Sequence, residues 1–402
     1  MCFIIINIFF VTYNKYIYMK PKIKEGTILV SIASYRDPVC NKTLKSLFQN
    51  AKNPDKVFVA LCQQNKTKED EDCQIDFEQN PNIRTIRIPY YEAKGPTWAR
   101  YLCATLWNGE EYFMQIDSHT KFVKDWDEKC IKMIKDIITS GDSKKPILSH
   151  YPRESHDYEN YKESDKSYVP RMCKSFWNNR DMLSFMGAET IDTRNKPYKT
   201  PYIAAGMVFC NADYLNEVPY DPNLPYLFVG EEILHSIRAY THGWDVYTPT
   251  ENIVFHEYTR SDKPKIWTDN PTYSDIPAFE KVKYYIGLVK DDSNLTLEVK
   301  LNLDKYGLGN ARTLKDYYNF AGIDTGKKIV TTNFCRDGNK ANENDIKQSN
   351  EKNHVKEGFT FFTNESNIVS IIIISVSSIF LFILLIMCGI CVNKYLKNKN
   401  VL

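Results

Sequence analysis

Between Thr27 and Asp117 the chain alternates short apolar, β-rich runs with helix-patterned segments, and no other feature constrains its fold as much. The runs are Thr27–Ala33, Lys56–Cys62, Ile83–Ile88 and Tyr112–Ile116. Helices are predicted over Cys40–Ala51, where Leu44, Leu47 and Phe48 recur at helical spacing, and from Pro96 to about Trp107, with proline in the first turn. Strands alternating with helices imply an α/β fold with a mostly parallel sheet, whose ligands sit beyond the carboxyl ends of the strands.

Two polar stretches fall at such ends: Ser34-Tyr35-Arg36-Asp37 after the first run, and Asp117-Ser118-His119 after the fourth. A carboxylate and an imidazole two residues apart on a strand exit can reach one divalent cation, which in turn can hold a nucleotide diphosphate. Alone, an Asp-x-His is more often an exposed turn, so the reading depends on what converges with it. Tyr202–Cys210 reads as a buried strand whose small residues Ala204, Ala205 and Gly206 let a ligand approach backbone. Glu231 and Glu232 precede an amphipathic helix, Ile233–Thr241, closed by Gly243; acids there serve either the helix dipole or a site. Ile253–Phe255 then delivers His256. A single histidine after a strand is usually structural, but three strand-end groups facing one crevice favour a site. Tyr151–Thr200, weakly periodic and rich in Tyr, Lys and Asn, reads as a loop-rich insertion on the acceptor side.

The 402 residues carry a net charge of +2 and are 43% hydrophobic, enough for one large domain over 24–332 and without the one-signed charge of a nucleic-acid binder. Eleven irregularly spaced cysteines suggest neither a zinc knuckle nor a disulfide scaffold. Cys62, Cys103 and Cys210 lie in apolar runs and read as buried reduced thiols of a cytosol-like compartment. Four N-x-S/T sequons, at Asn41, Asn65, Asn294 and Asn364, are no more than chance gives in so asparagine-rich a chain.

Residues 368–392 are uncharged and apolar, longer than the roughly 20 residues that span a bilayer as a helix. A basic tail, 393–402, follows, and a polar tether, 333–367, precedes. The short apolar segment in 1–23 lacks both a preceding basic residue and a small-residue cleavage site. A single-pass, tail-anchored protein with its large domain in the cytosol is therefore expected, a luminal domain being the alternative.

Three motifs extend this picture: Ser31-Ile32-Ala33-Ser34-Tyr35-Arg36-Asp37 with Cys40, Thr43, Leu44, Leu47 and Phe48; Glu92-Ala93-Lys94-Gly95-Pro96 with Ala99 and Arg100; and Gln115-Ile116-Asp117-Ser118-His119 with Trp126 and Asp127. In this order they resemble the nucleotide-sugar-dependent glycosyltransferases of GT-A fold, above all the family that adds N-acetylglucosamine to a hydroxyproline of a ubiquitin-ligase adaptor. More distantly the chain is similar to the polypeptide N-acetylgalactosaminyltransferases, although Val229-Gly230-Glu231-Glu232 departs from their Gly-Gly-Glu. The resemblance implies a Rossmann-like domain using UDP-N-acetylglucosamine and a protein acceptor. Asp117, His119 and His256 would ligate Mn²⁺ or Mg²⁺. Ser34, Tyr35, Arg36, Gly95, Arg100 and Asp117 would line the donor site, and Glu231 or Glu232 would orient the acceptor hydroxyl or the sugar. Relatives retain the donor's anomeric configuration, so neither glutamate is cast as an inverting base. The alternative is a catalytically inactive, membrane-displayed binder of nucleotide sugars. A two-metal phosphohydrolase would require a denser carboxylate cluster.

Overall fold

The computed structural model describes residues 21–165, 168–186, 189–192, 197–259, 263–270, 273–331 and 334–335. Strand β1 (Lys24–Tyr35) leads into helix α1 (Cys40–Asn50), followed by β2 (Val57–Asn65), β3 (Ile83–Pro89), α2 (Pro96–Ala104), β4 (Glu110–Asp117), β5 (Thr120–Phe122), α3 (Trp126–Thr139) and β6 (Pro146–Ser149). Six short strands then follow: β7 (Arg153–Glu154), β8 (Tyr168–Arg171), β9 (Lys174–Trp177), β10 (Leu183–Met186), β11 (Glu189–Asp192) and β12 (Tyr198–Thr200). The remainder comprises β13 (Met207–Asn211), α4 (Glu231–Thr241), β14 (Asp245–Thr248), β15 (Val254–His256), α5 (Ile276–Tyr285) and α6 (Leu314–Ala321), with short helical turns and a small two-stranded pair between and after them.

Eight strands form the central sheet in the order β12-β14-β6-β13-β4-β1-β2-β3. The half that bears the expected site is parallel: β1 lies between β2 and β4, with Ala33 opposite both Cys62 and Asp117. Strand β13 runs antiparallel to β4 and β6, so the sheet is mostly rather than wholly parallel. The β1 sequence explains its central place. Ile28, Val30 and Ile32 pack with Leu44 and Leu47 of α1 and with Trp126, Cys130 and Ile134 of α3, whereas Leu29 faces Ala99 and Cys103 of α2 on the other side. Burial on both faces is what turns alternation into a continuous apolar run.

A second, three-stranded sheet, β5-β15-β7, carries His256. In its register His256 stands opposite Thr120, the residue after His119. A third apolar cluster joins α4, α5 and α6 through Ile233, Ile237, Phe279, Val282 and Tyr317.

The predicted boundaries shift in places for local reasons. Helix α2 ends at Ala104 rather than near Trp107, and β2 continues through Asn65 because its parallel pairing with both β1 and β3 extends that far. Within Tyr202–Cys210 only β13 is strand; Tyr202–Gly206 runs as irregular backbone, held where Ser149 Oγ accepts from the Ala204 amide at 2.9 Å. The 151–200 insertion is threaded with short strands, β8 pairing with β11 and β9 with β10, while β12 joins the edge of the central sheet.

The cysteine expectation is corrected in part. Cys62, Cys103 and Cys210 are buried free thiols, as is Cys130, but Cys40–Cys73 and Cys173–Cys335 form disulfides. Partners 33 and 162 residues apart leave no spacing signature for sequence to show. Phe334 and Cys335, expected in the tether, are buried against the domain, and the Phe334 carbonyl accepts from Arg171 Nη1 at 2.6 Å. Among the described residues no helix is long and apolar enough to cross a membrane. The expected span at 368–392, its basic tail, the rest of the tether and residues 1–20 lie outside the described residues.

Candidate active site

The carboxyl ends of β1 and β4 lie side by side, and the loops leaving them are tied together by α1. Thr43 of α1 donates to the Ser118 carbonyl at 2.8 Å and accepts from the Thr120 amide at 2.9 Å, so the Asp117-Ser118-His119 turn is braced from outside. Trp126 and Asp127 extend the brace: the indole donates to the Leu47 carbonyl at 3.0 Å, and Asp127 accepts from the amides of Lys52 and Asn53 at 2.7 and 2.8 Å. These two motif residues therefore hold α1 and α3 together and do not face the crevice.

Asp117, His119 and His256 converge, and one ligand atom from each lies within 4.8 Å of the others. Asp117 Oδ2 is 3.1 Å from His256 Nε2, and the two imidazole rings meet edge-on with centroids 4.4 Å apart. The donor set suits a cation. His119 directs Nδ1 to Asp37 Oδ2 at 2.7 Å, which orients the ring with Nε2 as the ligating atom, the usual carboxylate support of a metal-bound imidazole. Asp37 also accepts from Ser118 Oγ at 2.6 Å. Asp37 lies within the first motif but is not among the site residues expected from sequence. Its position directly after Tyr35 and Arg36 is the only sequence signal for it.

Arg100 connects this cluster to α4. Its Nη2 donates to Asp117 Oδ1 at 2.9 Å, its Nη1 donates to Glu231 Oε1, and the side chain is buried. Burial alone would push the Asp117 carboxyl up, but the His256 hydrogen bond and the Arg100 charge outweigh it and hold Asp117 well below the usual carboxylate range. Glu231 keeps a raised pKa because burial outweighs the Arg100 charge. Glu232 turns the other way and accepts from the Ala205 amide at 2.9 Å; burial pushes it up to about 7. The two glutamates thus separate: Glu231 is joined to the metal-type cluster through Arg100, and Glu232 sits against the Ala204–Gly206 backbone. At Gly206 an added Cβ would lie 3.1 Å from Pro152 Cγ and 3.6 Å from Asp117 Oδ2.

Gly95 adopts φ +91, and a Cβ there would meet Tyr226 Cα at 2.9 Å, so glycine is required where α2 starts. Tyr226 donates its amide to the Lys94 carbonyl, which holds the two loops in contact. Ser34 is buried, its carbonyl accepting from Gln64 Nε2 at 3.2 Å. Tyr35 and Arg36 close the β1 end through carboxylates on two other segments. Tyr35 donates to Asp269 Oδ2 at 2.9 Å, while Arg36 makes a forked contact with Asp70 at 2.8 and 3.1 Å and reaches Asp269 at 2.9 Å. Its guanidinium also stacks 5.1 Å over Tyr90, so its charge is matched by two carboxylates in this conformation. Asp70, Asp269 and Tyr90 were not predicted, since none lies in a recognisable motif.

Fold and site together define an α/β protein with a two-imidazole, one-carboxylate cluster at the carboxyl end of a parallel strand. A family model described as Glycosyltransferase (GlcNAc) matches residues 27–79 and 74–327, most of the chain. The chain belongs to this glycosyltransferase family, and every residue of the cluster lies in the matched range. Among solved structures, GalNAc-T7 with UDP, GalNAc and Mn²⁺ is similar with a TM-score of 0.48 at 13% identity, over 73% of this chain and 56% of that one. S. aureus TarS 1–349 in complex with UDP-GlcNAc is similar with a TM-score of 0.42 at 13% identity, over 70% of each chain. The chain thus spans little more than half the length of GalNAc-T7, and neither likeness bears on residue roles. No curated protein matches the chain in sequence.

Proposed function

We propose that this protein transfers N-acetylglucosamine from UDP-N-acetylglucosamine to a hydroxyl of a protein acceptor, the acceptor side chain being hydroxyproline, in a domain of GT-A type. One observation carries the reading: Asp117, His119 and His256 meet where strand ends open, with Arg100 linking them to Glu231. These three side chains would hold the cation. Bound there, it supplies Lewis-acid charge against the departing diphosphate. Of the two expected metals the donor set favours Mn²⁺, because Mg²⁺ takes oxygen ligands and two of the three ligands here are imidazoles.

The chain's own residues have distinct parts in this scheme. Arg100 keeps Asp117 ionised and fixes its orientation, and Asp37 does the same for the His119 ring. Glu231, immobilised by Arg100, orients the donor sugar; Glu232, poised near neutrality, faces the acceptor hydroxyl. Tyr35 and Arg36 receive the nucleotide once Asp269 gives way. The apolar run 368–392 attaches the protein to a membrane.

Full-length protein in detergent, given UDP-N-acetylglucosamine and peptides bearing hydroxyproline, serine or threonine, tests this reading. Mn²⁺-dependent transfer to the hydroxyproline peptide supports it. Transfer to the serine or threonine peptide alone overturns the acceptor, and calorimetric binding of the nucleotide sugar with no turnover on any peptide establishes an inactive binder instead.

A further inference from the structure

Two features left unused by the proposed reaction bear on where the domain matures. The first is the pair of disulfides, which join segments distant in sequence. Cys40–Cys73 links the start of α1 to the loop after β2, and Cys173–Cys335 fastens the end of the described domain to its insertion. Among the described residues four other cysteines stay buried as thiols, so pairing is selective and does not follow merely from cysteine content. Disulfides within a folded domain persist in oxidising compartments and are rare where glutathione keeps thiols reduced.

The second is the sequon at Asn294-Leu295-Thr296, which three-dimensional structure separates from those at Asn41 and Asn65. Asn41 is buried, donates Nδ2 to the Cys73 carbonyl at 3.1 Å, and its sequon partner Thr43 is the buried brace of the Asp117 turn. Asn65 is half-buried and its amide donates to the Glu71 carbonyl at 2.8 Å. A glycan on either would displace these bonds. Asn294 and Thr296 are exposed, while Leu295 between them is buried and anchors the turn, its amide donating to the Asp292 carbonyl at 3.0 Å. A bulky surface modification fits this arrangement.

We infer that the domain matures in an oxidising, glycosylating lumen and that Asn294 is its N-linked glycan acceptor. This differs from the cytosolic placement that the N-terminus led one to expect. In the modification, the Asn294 amide nitrogen forms a bond to the anomeric carbon of an oligosaccharide carried on a lipid diphosphate. The anomeric C–O bond breaks, the lipid diphosphate leaves, and the amide proton passes to a base of the glycosylating enzyme. In each disulfide, two thiols lose two protons and two electrons to the disulfide of a thiol oxidoreductase, which becomes a dithiol.

The full chain, expressed in eukaryotic cells with Asn364→Gln to remove the sequon beside the apolar run, provides the test. An N-glycosidase should increase its gel mobility by one step. Asn294→Gln and, independently, Thr296→Ala should abolish that step, and Asn41→Gln should leave it intact. Alkylation of denatured, unreduced protein should spare Cys40, Cys73, Cys173 and Cys335. No glycosidase-sensitive step, a step that survives both sequon variants, or alkylation of those four cysteines would overturn the inference.

Discussion

Asp117 and His256 stand 3.1 Å apart although 139 residues separate them, and the register of a small sheet explains the meeting. Strand β15 pairs with β5 so that His256 opposes Thr120, and β5 leaves β4 through the Asp117 turn. The contact is thus set by backbone hydrogen bonds, and side-chain substitution at the cluster should leave the turn in place.

Asp37 orients His119 without belonging to the cluster. Asp37→Asn should lower Mn²⁺ affinity by about 10- to 100-fold while the protein keeps its unfolding temperature within a few degrees. Calorimetric titration of Mn²⁺ into wild type and variant reads this directly; unchanged affinity would mean that the Asp37 contact does not support ligation.

Arg100 joins buried Glu231 and half-buried Asp117, and lysine cannot span both. Arg100→Ala should cost about 3–5 kcal/mol of stability by leaving charge unpaired. Arg100→Lys should fold better than the alanine variant yet lose at least about tenfold in kcat, corresponding to one transition-state contact of about 1.4 kcal/mol. Urea unfolding and steady-state rates on the same preparations separate the two effects.

At Gly95 the backbone has φ +91 and any Cβ runs into Tyr226 Cα. Gly95→Ala should destabilise by about 1–3 kcal/mol, because both the left-handed backbone and the backbone contact must yield. Thermal unfolding checks this, with Gly141→Ala as the control for the backbone effect alone, since Gly141 also has a positive φ (+80) but a Cβ there meets nothing within 4 Å, so the excess loss at Gly95 reads the Tyr226 contact.

Glu232 predicts a pH signature. Its carboxyl is raised from 4.5 to about 7 by burial, so between those values the unfolded chain ionises while the folded one keeps its proton. Stability from this group therefore falls as pH rises from about 4.5 to about 7 and stays low above. Buried His150, lowered to about 4 by loss of solvent, acts in the opposite sense over an overlapping range. The difference between wild type and Glu232→Gln cancels that contribution. In chelator-treated protein, Glu232→Gln should gain about 1–3 kcal/mol relative to wild type on going from pH 4.5 to 7.5. A flat difference across that range would remove the raised carboxyl from the account.

How far sequence alone could reach is clearest from particular elements. Strand β1 and helix α1 were legible because burial writes a period into sequence: a continuous apolar run for a strand covered on both faces, Leu44 and Leu47 for a helix covered on one. The Asp117, His119 and His256 set was legible through motif order and not through spacing, since nothing local predicts the β5–β15 register. The pairing of Arg36 with Asp70 and Asp269, and both disulfides, are contacts between segments whose separation carries no periodic signal. Glu231 and Glu232 could not be told apart in sequence because neighbouring positions on a helix start differ by about 100° in direction, and only the packing of α4 decides which meets Arg100.

The central claim, that Asp117 anchors a cation serving a UDP-sugar, is tested most directly by UDP release. Full-length protein with UDP-N-acetylglucosamine should release UDP when Mn²⁺ is present, lose that activity to a chelator, and regain it when Mn²⁺ is restored. Asp117→Ala should be slower by at least about 10²-fold, the scale of losing an electrostatic stabiliser. UDP release that survives chelation, or that Asp117→Ala leaves undiminished, would contradict the account.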